Sequence, residues 1–325
     1  MKNIKVKAHA NIALIKYWGK RDRELVLPTK SSLSITLSGL NTITKISFNK
    51  NNCDNIILND SPVSGDTHVR IINFLSQARK YYNISGFFDI NTKNNFPTAA
   101  GLASSASGYA ALAVGINELC DLKLSQREVS MLARLGSGSA ARSVFGGFVA
   151  WYKGKCSIGS DSYAEKIFSH THWPELRVIA AIVETGKKAV SSRDGMEFSR
   201  ATSPYYDRWI LRSEERFNKI IGAIADKDLK LMGSLSQQDC LDMHEVIHTT
   251  SPTLDYWNDS TRKILHIVQS LQDMGVMCFL TIDAGPNVKV MCLAPDLEQV
   301  YHALTMCPGV RDLIICHVAD DPTIL

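Results

Sequence analysis

"FPTAAGLASSASGYAALAVGINELC" spans residues 96–120. The seven residues from Gly101 to Ser107 are all Gly, Ala, Ser or Leu, and they run straight into an apolar segment read as a buried helix from about Ala103 to Leu119. Pro97 fixes one φ, and Gly101 permits a backbone turn that other residues resist. Small side chains let a ligand approach the main chain. The first turn of a helix carries four unpaired N–H groups and the positive end of the dipole. With hydroxyls at Ser104, Ser105 and Ser107, the stretch is an anion cradle suited to phosphates. Gly and Ser would equally cap a core helix and leave room for close packing. No G-K-[ST] follows, so this is not a Walker A loop.

A second small-residue stretch, "LGSGSAARSVFGG" (135–147), alternates Gly136 and Gly138 with Ser137 and Ser139, and Arg142 follows. Such alternation can form a concave nest of N–H groups, and an arginine adds a bidentate partner for phosphate or carboxylate. A helix C-cap followed by an ordinary loop reads as well. In "ALIKYWGKRDRELVLP" (13–28), Lys16 and Lys20 flank Tyr17, Trp18 and Gly19, which suits an anionic ligand or a solvated basic turn. In "TIDAGPNVKV" (281–290), an apolar strand delivers Asp283 into an Ala-Gly-Pro turn. A carboxylate placed there is poised as a general base or metal ligand, or bonds its own backbone.

Around these stretches the chain has the profile of a soluble globular protein. Its 325 residues suggest one large domain or two closely joined lobes. Hydrophobic residues make up 45% and charged residues 21%, and the formal charge of +4 is too weak to imply nucleic acid. None of the eight cysteines forms a C-x-x-C pair, which leaves zinc ribbons and thioredoxin-type chemistry without support. The N-terminus has no signal-peptide h-region and no uncharged apolar run reaches 18 residues, so a reducing, cytoplasmic location without a membrane span is expected.

Strand composition marks 2–15 and 31–50, and helical spacing of Val69, Ile72, Leu75 and Ala78 marks 67–83. Ser125 and Glu128 form a capping-box pair that opens a helix ending near Gly136. "RSVFGGFVAWYKG" reads as a strand or hairpin with a Gly-Gly kink. The continuous apolar run "RVIAAIVE" (177–184) reads as a central strand, and a lobe boundary falls near 170–180. Helices are expected at 204–225, 227–248, 258–274 and 295–306, with strands at "GVMCFLTI", "NVKVMCLA" and "DLIICHVA". This is an α+β chain with two lobes, about 1–175 and 176–325, and a cleft between them. "MHEVIH" holds a literal H-E-x-x-H at His244 and His248, the spacing of zinc proteases, but no clear third-ligand motif follows.

"AHANIALIKYWGK", "NFPTAAGLASSAS", "SGSAARSVFGGF" and "TIDAGPNVKV" together resemble the mevalonate diphosphate decarboxylases of the GHMP kinase superfamily. They lie in the family's order across residues 8–290. The resemblance implies a two-lobed GHMP kinase fold, with a ribosomal protein S5 domain 2-like N-terminal lobe, a ferredoxin-like C-terminal lobe and usually a homodimer. It implies ATP-dependent decarboxylation of mevalonate 5-diphosphate to isopentenyl diphosphate, with ATP and Mg2+ as cofactors. On that resemblance Asp283, Lys16 and Arg142 are the catalytic residues. Tyr17, Lys20, Ser137, Gly138, Ser139, Arg142, Ser192 and Arg193 bind the substrate. Pro97, Ala99, Ala100, Gly101, Leu102, Ser104, Ser105 and Ser107 hold the nucleotide phosphates. Ala141 stands where many relatives carry a serine. Related activities on the same pattern are a mevalonate 5-phosphate decarboxylase and a mevalonate 3-kinase, and a different class is a non-catalytic nucleotide-binding protein.

Overall fold

A computed structural model describes residues 2–96, 104–186 and 189–325. The chain opens with β1 (Asn3–Ile15) and passes through a small hairpin, β2 (Lys20–Asp22) and β3 (Leu27–Pro28), into the long β4 (Ser32–Asn49). β5 (Asn55–Leu58), β6 (Ser61–Pro62), α1 (Gly65–Tyr82), β7 (Phe87–Asn94) and α2 (Ser104–Leu119) follow. Then come α3 (Gln126–Gly136), the single turn α4 (Ala140–Ser143), β8 (Phe148–Trp151) and β9 (Ala164–Phe168). β1 shows why this half folds as it does. Up to Ala10 it alternates buried Val6, Ala8 and Ala10 with Lys5, Lys7 and His9, the pattern of a strand with one covered face. From Asn11 to Ile15 every residue is buried, as where a strand enters between two layers. β4 pairs antiparallel with β1 along most of its length, with β8 through Ser32–Ile35 and with β7 through Thr42–Asn49. The alanine-rich α2 lies on this sheet and buries Ala110, Ala113 and Ile116 against Val6, Ile46 and Phe88.

The second half runs β10 (Leu176–Ile182), α5 (Ser192–Thr202), α6 (Tyr206–Ala225), α7 (Leu229–His248) and α8 (Asp259–Asp273). β11 (Cys278–Ile282), β12 (Val288–Leu293), α9 (Leu297–Thr305), β13 (Asp312–Cys316) and β14 (Thr323–Ile324) complete it. The second sheet is antiparallel throughout, in the order β11-β12-β10-β13. With helices between β10 and β11 and between β12 and β13, this is the expected ferredoxin-like arrangement. α8 and α9 pack against this sheet through Ile264, Val268, Val300 and Leu304. "RVIAAIVE" is an interior strand of it, β10. The last helix is shorter than expected because Pro295 begins a 3-10 turn (Ala294–Asp296) before α9. Several elements were not legible from the sequence, among them β7, β9, α5 and the two-residue β14, which returns the chain's end to β1 of the first sheet.

One apolar core serves both sheets. Ile12, Leu14, Leu33 and Phe148 of the first meet Val178, Ala180 and Met291 of the second, with Ile220 and Met232 of α6 and α7. The layers are therefore fixed against each other where β1 and β11 end. Thr281 Oγ1 donates to the Ala13 carbonyl at 3.2 Å across that junction.

Candidate active site

Just past this junction the two strands deliver opposite charges. Lys16 follows β1, Asp283 follows β11, and Lys16 Nζ donates to Asp283 Oδ1 at 2.8 Å. Lys16 is 1% exposed and Asp283 27%, so the pair is dry on one side and open on the other. The alternative of a solvated basic turn fails here, because Lys16 and Lys20 are both buried. Asp283 also turns back on its own backbone, its carbonyl accepting from the Gly285 N–H at 2.7 Å, yet the carboxylate itself faces the lysine. Burial pushes the Asp283 carboxyl up, but Lys16, Lys289 and Arg142 more than offset this and hold it below the usual carboxylate range. It is ionised at neutral pH and free to accept a proton.

Arg142 is fixed by two neighbours that its sequence context did not announce. Nη1 donates to Ser32 Oγ at 2.5 Å and Nη2 to Asn11 Oδ1 at 3.3 Å. Asn11 in turn donates to the Ser139 carbonyl at 3.0 Å and to Ser143 Oγ at 2.8 Å, which ties the second Gly-Ser loop to β1. Burial lowers the guanidinium to about 10, with Asp283 opposing the shift, and Nε has no partner among the described residues. A buried cation with a spare donor fits an anionic ligand group.

The second Gly-Ser loop is less of a nest than its composition suggests. The N–H groups of Ser137, Ala140, Ala141 and Arg142 are spent on the carbonyls of Ala133, Ser137, Gly138 and Ser139. Its glycines serve close packing. A Cβ on Gly138 would lie 2.6 Å from the ring of Tyr17, and one on Gly136 2.1 Å from that of Tyr109. Tyr17 is held edge-on to Trp151, with ring centroids 4.8 Å apart, and its buried hydroxyl has no partner among the described residues. Burial pushes that phenol well above its ordinary value, so it is a neutral donor.

The two small-residue loops meet: Ser105 Oγ lies 3.2 Å from Ser137 Oγ, which is 3.3 Å from Ser139 Oγ. Ser104 opens α2, while Ser107 is buried with its hydroxyl 2.7 Å from Thr42 Oγ1. Pro97, Ala99, Ala100, Gly101 and Leu102 lie outside the described residues. From the other lobe, α5 supplies Ser192 as its first residue and Arg193 as its second. Ser191 caps it by accepting from the Asp194 N–H, and Arg193 Nη2 donates to the Gly136 carbonyl at 2.8 Å. Lys20 is close enough to feel Arg193, and burial with that neighbour lowers its ammonium to about 8. Thus Asp283 faces Lys16, Lys289 and Arg142, Arg142 and Arg193 both act on Tyr17, and Arg193 links Lys20 to the second Gly-Ser loop, which meets Ser105 of the first.

The H-E-x-x-H motif has a different use. His244 is buried and accepts the indole N–H of Trp257 at 3.3 Å, while His248 pairs with Asp255 at 3.1 Å. Among the described residues, no three His, Cys, Asp or Glu side chains are grouped to hold a metal ion. Sequence reasoning missed Asn11, Ser32, Lys289, Lys30 and Asp239, all buried polar groups around the site. Only Asn11 and Lys289 left a signal, as polar residues inside apolar strands.

Residues 8–164 match the model of the diphosphomevalonate decarboxylase-like N-terminal domain, and residues 178–322 match the mevalonate 5-diphosphate decarboxylase C-terminal domain. The diphosphomevalonate decarboxylase of Candida albicans is 41% identical, with 99% of this chain and 98% of that one covered. The crystal structure of mevalonate diphosphate decarboxylase from Staphylococcus aureus superposes with a TM-score of 0.94 at 37% identity, covering 100% and 98% of the two chains. A structure of MDDEF in complex with MVAPP, AMPPCP and magnesium gives a TM-score of 0.93 at 36% identity, covering 99% and 98%. The fold is the GHMP kinase fold. The chain belongs to the diphosphomevalonate decarboxylase family.

Proposed function

We propose that this chain converts mevalonate 5-diphosphate to isopentenyl diphosphate with consumption of ATP and release of ADP, phosphate and CO2, a step of isoprenoid biosynthesis. The observation that carries the reading is the Lys16–Asp283 pair, set among cations that outnumber the anions facing them. Arg142 and Lys20, buried and lowered to about 10 and about 8, are short of counter-charge, and a polyanionic substrate would supply it. The same cationic surplus and the serines at the start of α2 fit the phosphates of ATP. Magnesium would be held mainly through the nucleotide's phosphate oxygens. Bound magnesium and ATP supply the transferable phosphoryl group and neutralise its charge.

A tertiary hydroxyl leaves badly, and phosphorylation makes it a good leaving group. Asp283 orients the C3 hydroxyl and accepts its proton as the oxygen attacks phosphorus. Lys16 keeps that carboxylate ionised and balances charge on the transferring group. Arg142 binds the substrate carboxylate in its departing orientation. When the C3–O bond breaks, the electron pair of the carboxylate-bearing C–C bond becomes the new double bond, and CO2 departs. Tyr17, Lys20, Ser137, Gly138, Ser139 and Arg193 hold the diphosphate, and Ser192 contacts the substrate near its reacting end. Ser104, Ser105 and Ser107, with the segment from Pro97 to Leu102, hold the nucleotide phosphates.

The composition of the two sheets supports lobes at 1–175 and 176–325, joined by the shared core and crossed by β14. No helix among the described residues is long and apolar enough to cross a membrane, and the eight cysteines are free thiols. We place the enzyme in the cytoplasm as a homodimer. The test is ADP release with mevalonate, its 5-phosphate and its 5-diphosphate, alongside CO2 capture. Equal ADP and CO2 with the diphosphate alone supports the proposal. ADP without CO2 would make the chain a 3-kinase, and turnover of the monophosphate alone would make it the monophosphate decarboxylase.

A further inference from the structure

Lys16 lies one residue beyond the last paired residue of β1, Ile15, so the sheet does not hold its peptide. Two buried ions hold it instead. Its N–H donates to Asp239 Oδ2 of α7 at 2.7 Å, and its carbonyl accepts from Lys30 Nζ. Asp239 is fully buried and Lys30 almost so. Both are braced by α6: Arg216 reaches Asp239 at 3.4 Å and Asp242 at 2.6 Å, and the Lys30 ammonium sits 4.7 Å from the ring centroid of Trp209.

Burying ions is an expensive way to satisfy one N–H and one carbonyl. A neutral side chain could do the same, and apolar replacements of buried ion clusters are often as stable. What sets this peptide apart is that its side chain meets Asp283. We propose that Lys30 and Asp239 are positioning residues for the reaction, clamping the Lys16 peptide at both ends so that its ammonium reaches Asp283 at hydrogen-bond distance. The inference rests on the role given to Lys16 above. It adds that the precision of the pair comes from a second layer of charge on α6, α7 and the β3–β4 connection. A misplacement of about 1 Å at a reacting group can cost about a hundredfold in rate.

A double-mutant cycle tests it. Wild type, Lys16→Met, Lys30→Met and the double variant are compared for kcat and KM with mevalonate 5-diphosphate, with near-UV circular dichroism checking the fold. Lys30→Met is expected to lower kcat about 10- to 100-fold with KM within about threefold. In the Lys16→Met background the same change should cost less than about twofold, because the group it positions is gone. An unchanged kcat in Lys30→Met, or a full second loss in the double variant, would overturn the clamp while leaving Lys16 its role. An unchanged kcat in Lys16→Met would overturn the reading beneath it. If Lys30→Met does not fold, Lys30→Gln and Asp239→Asn carry the same cycle under the same additivity criterion.

Discussion

Replacing Lys16 by methionine removes the ammonium and keeps most of the side-chain volume, so its effect can be worked from the geometry. Two unit charges 2.8 Å apart interact by about 6 kcal/mol at an effective dielectric of about 20 and about 1.5 kcal/mol in bulk water. The lysine end is dry and the carboxylate end about a quarter exposed, so the relevant figure lies between, at about 2–4 kcal/mol. If that charge balance is used in the transition state, kcat falls about 30- to 1,000-fold. The pH profile must move as well. Burial raises the Asp283 carboxyl and Lys16 is the largest influence lowering it, with Lys289 and Arg142 behind. Without Lys16 the carboxyl protonates at a higher pH, so the acid limb of kcat shifts upward. Activity lost at low pH is then lost nearer neutrality. Steady-state ADP release between pH 5 and pH 9 reads both effects. A variant with kcat within about threefold of wild type, or an unmoved acid limb, would refute the reasoning.

Gly138→Ala drives a methyl group into the ring of Tyr17, which Trp151 holds from another side. Overpacking of this kind costs about 1–3 kcal/mol, so thermal unfolding should fall by several degrees and KM for the diphosphate should rise. An unchanged melting temperature and KM would show that Tyr17 yields freely. His244, lowered to about 3 chiefly by burial, stays neutral in the folded protein while the unfolded chain takes up its proton near pH 6.5. Stability is thus full above pH 6.5 and falls as pH drops toward 3, by about 1.4 kcal/mol per pH unit from this residue alone. Urea unfolding of His244→Gln should show a shallower acid slope than wild type, and an equal slope would contradict the assignment.

How far the sequence disclosed this site depends on the kind of signal each residue leaves. Most of the long strands and helices were readable because their apolar periodicity is local, and Ser125 with Glu128 forms the capping box that the sequence implied. Asp283 was visible as a carboxylate at the end of an apolar strand, and Lys16 as a cation among aromatics. That the two touch across a sequence separation of 267 depends on the packing of two sheets, which no local pattern encodes. The second Gly-Ser loop misled in part, because glycine that admits a ligand and glycine that admits a tyrosine ring look alike in sequence. Lys30 and Asp239 were invisible for the opposite reason. Lysine in "PTKSS" and aspartate in "QQDCL" read as surface residues, and only the fold buries them.

The most direct test of the central claim is Asp283→Asn, which keeps size and nearly all shape but cannot take the proton. With saturating ATP and mevalonate 5-diphosphate, single-turnover release of ADP and CO2 should fall together by about 10²- to 10⁴-fold while nucleotide binding persists. Release of both within a few-fold of wild type would contradict the assignment of Asp283 as the group that receives the carbinol proton.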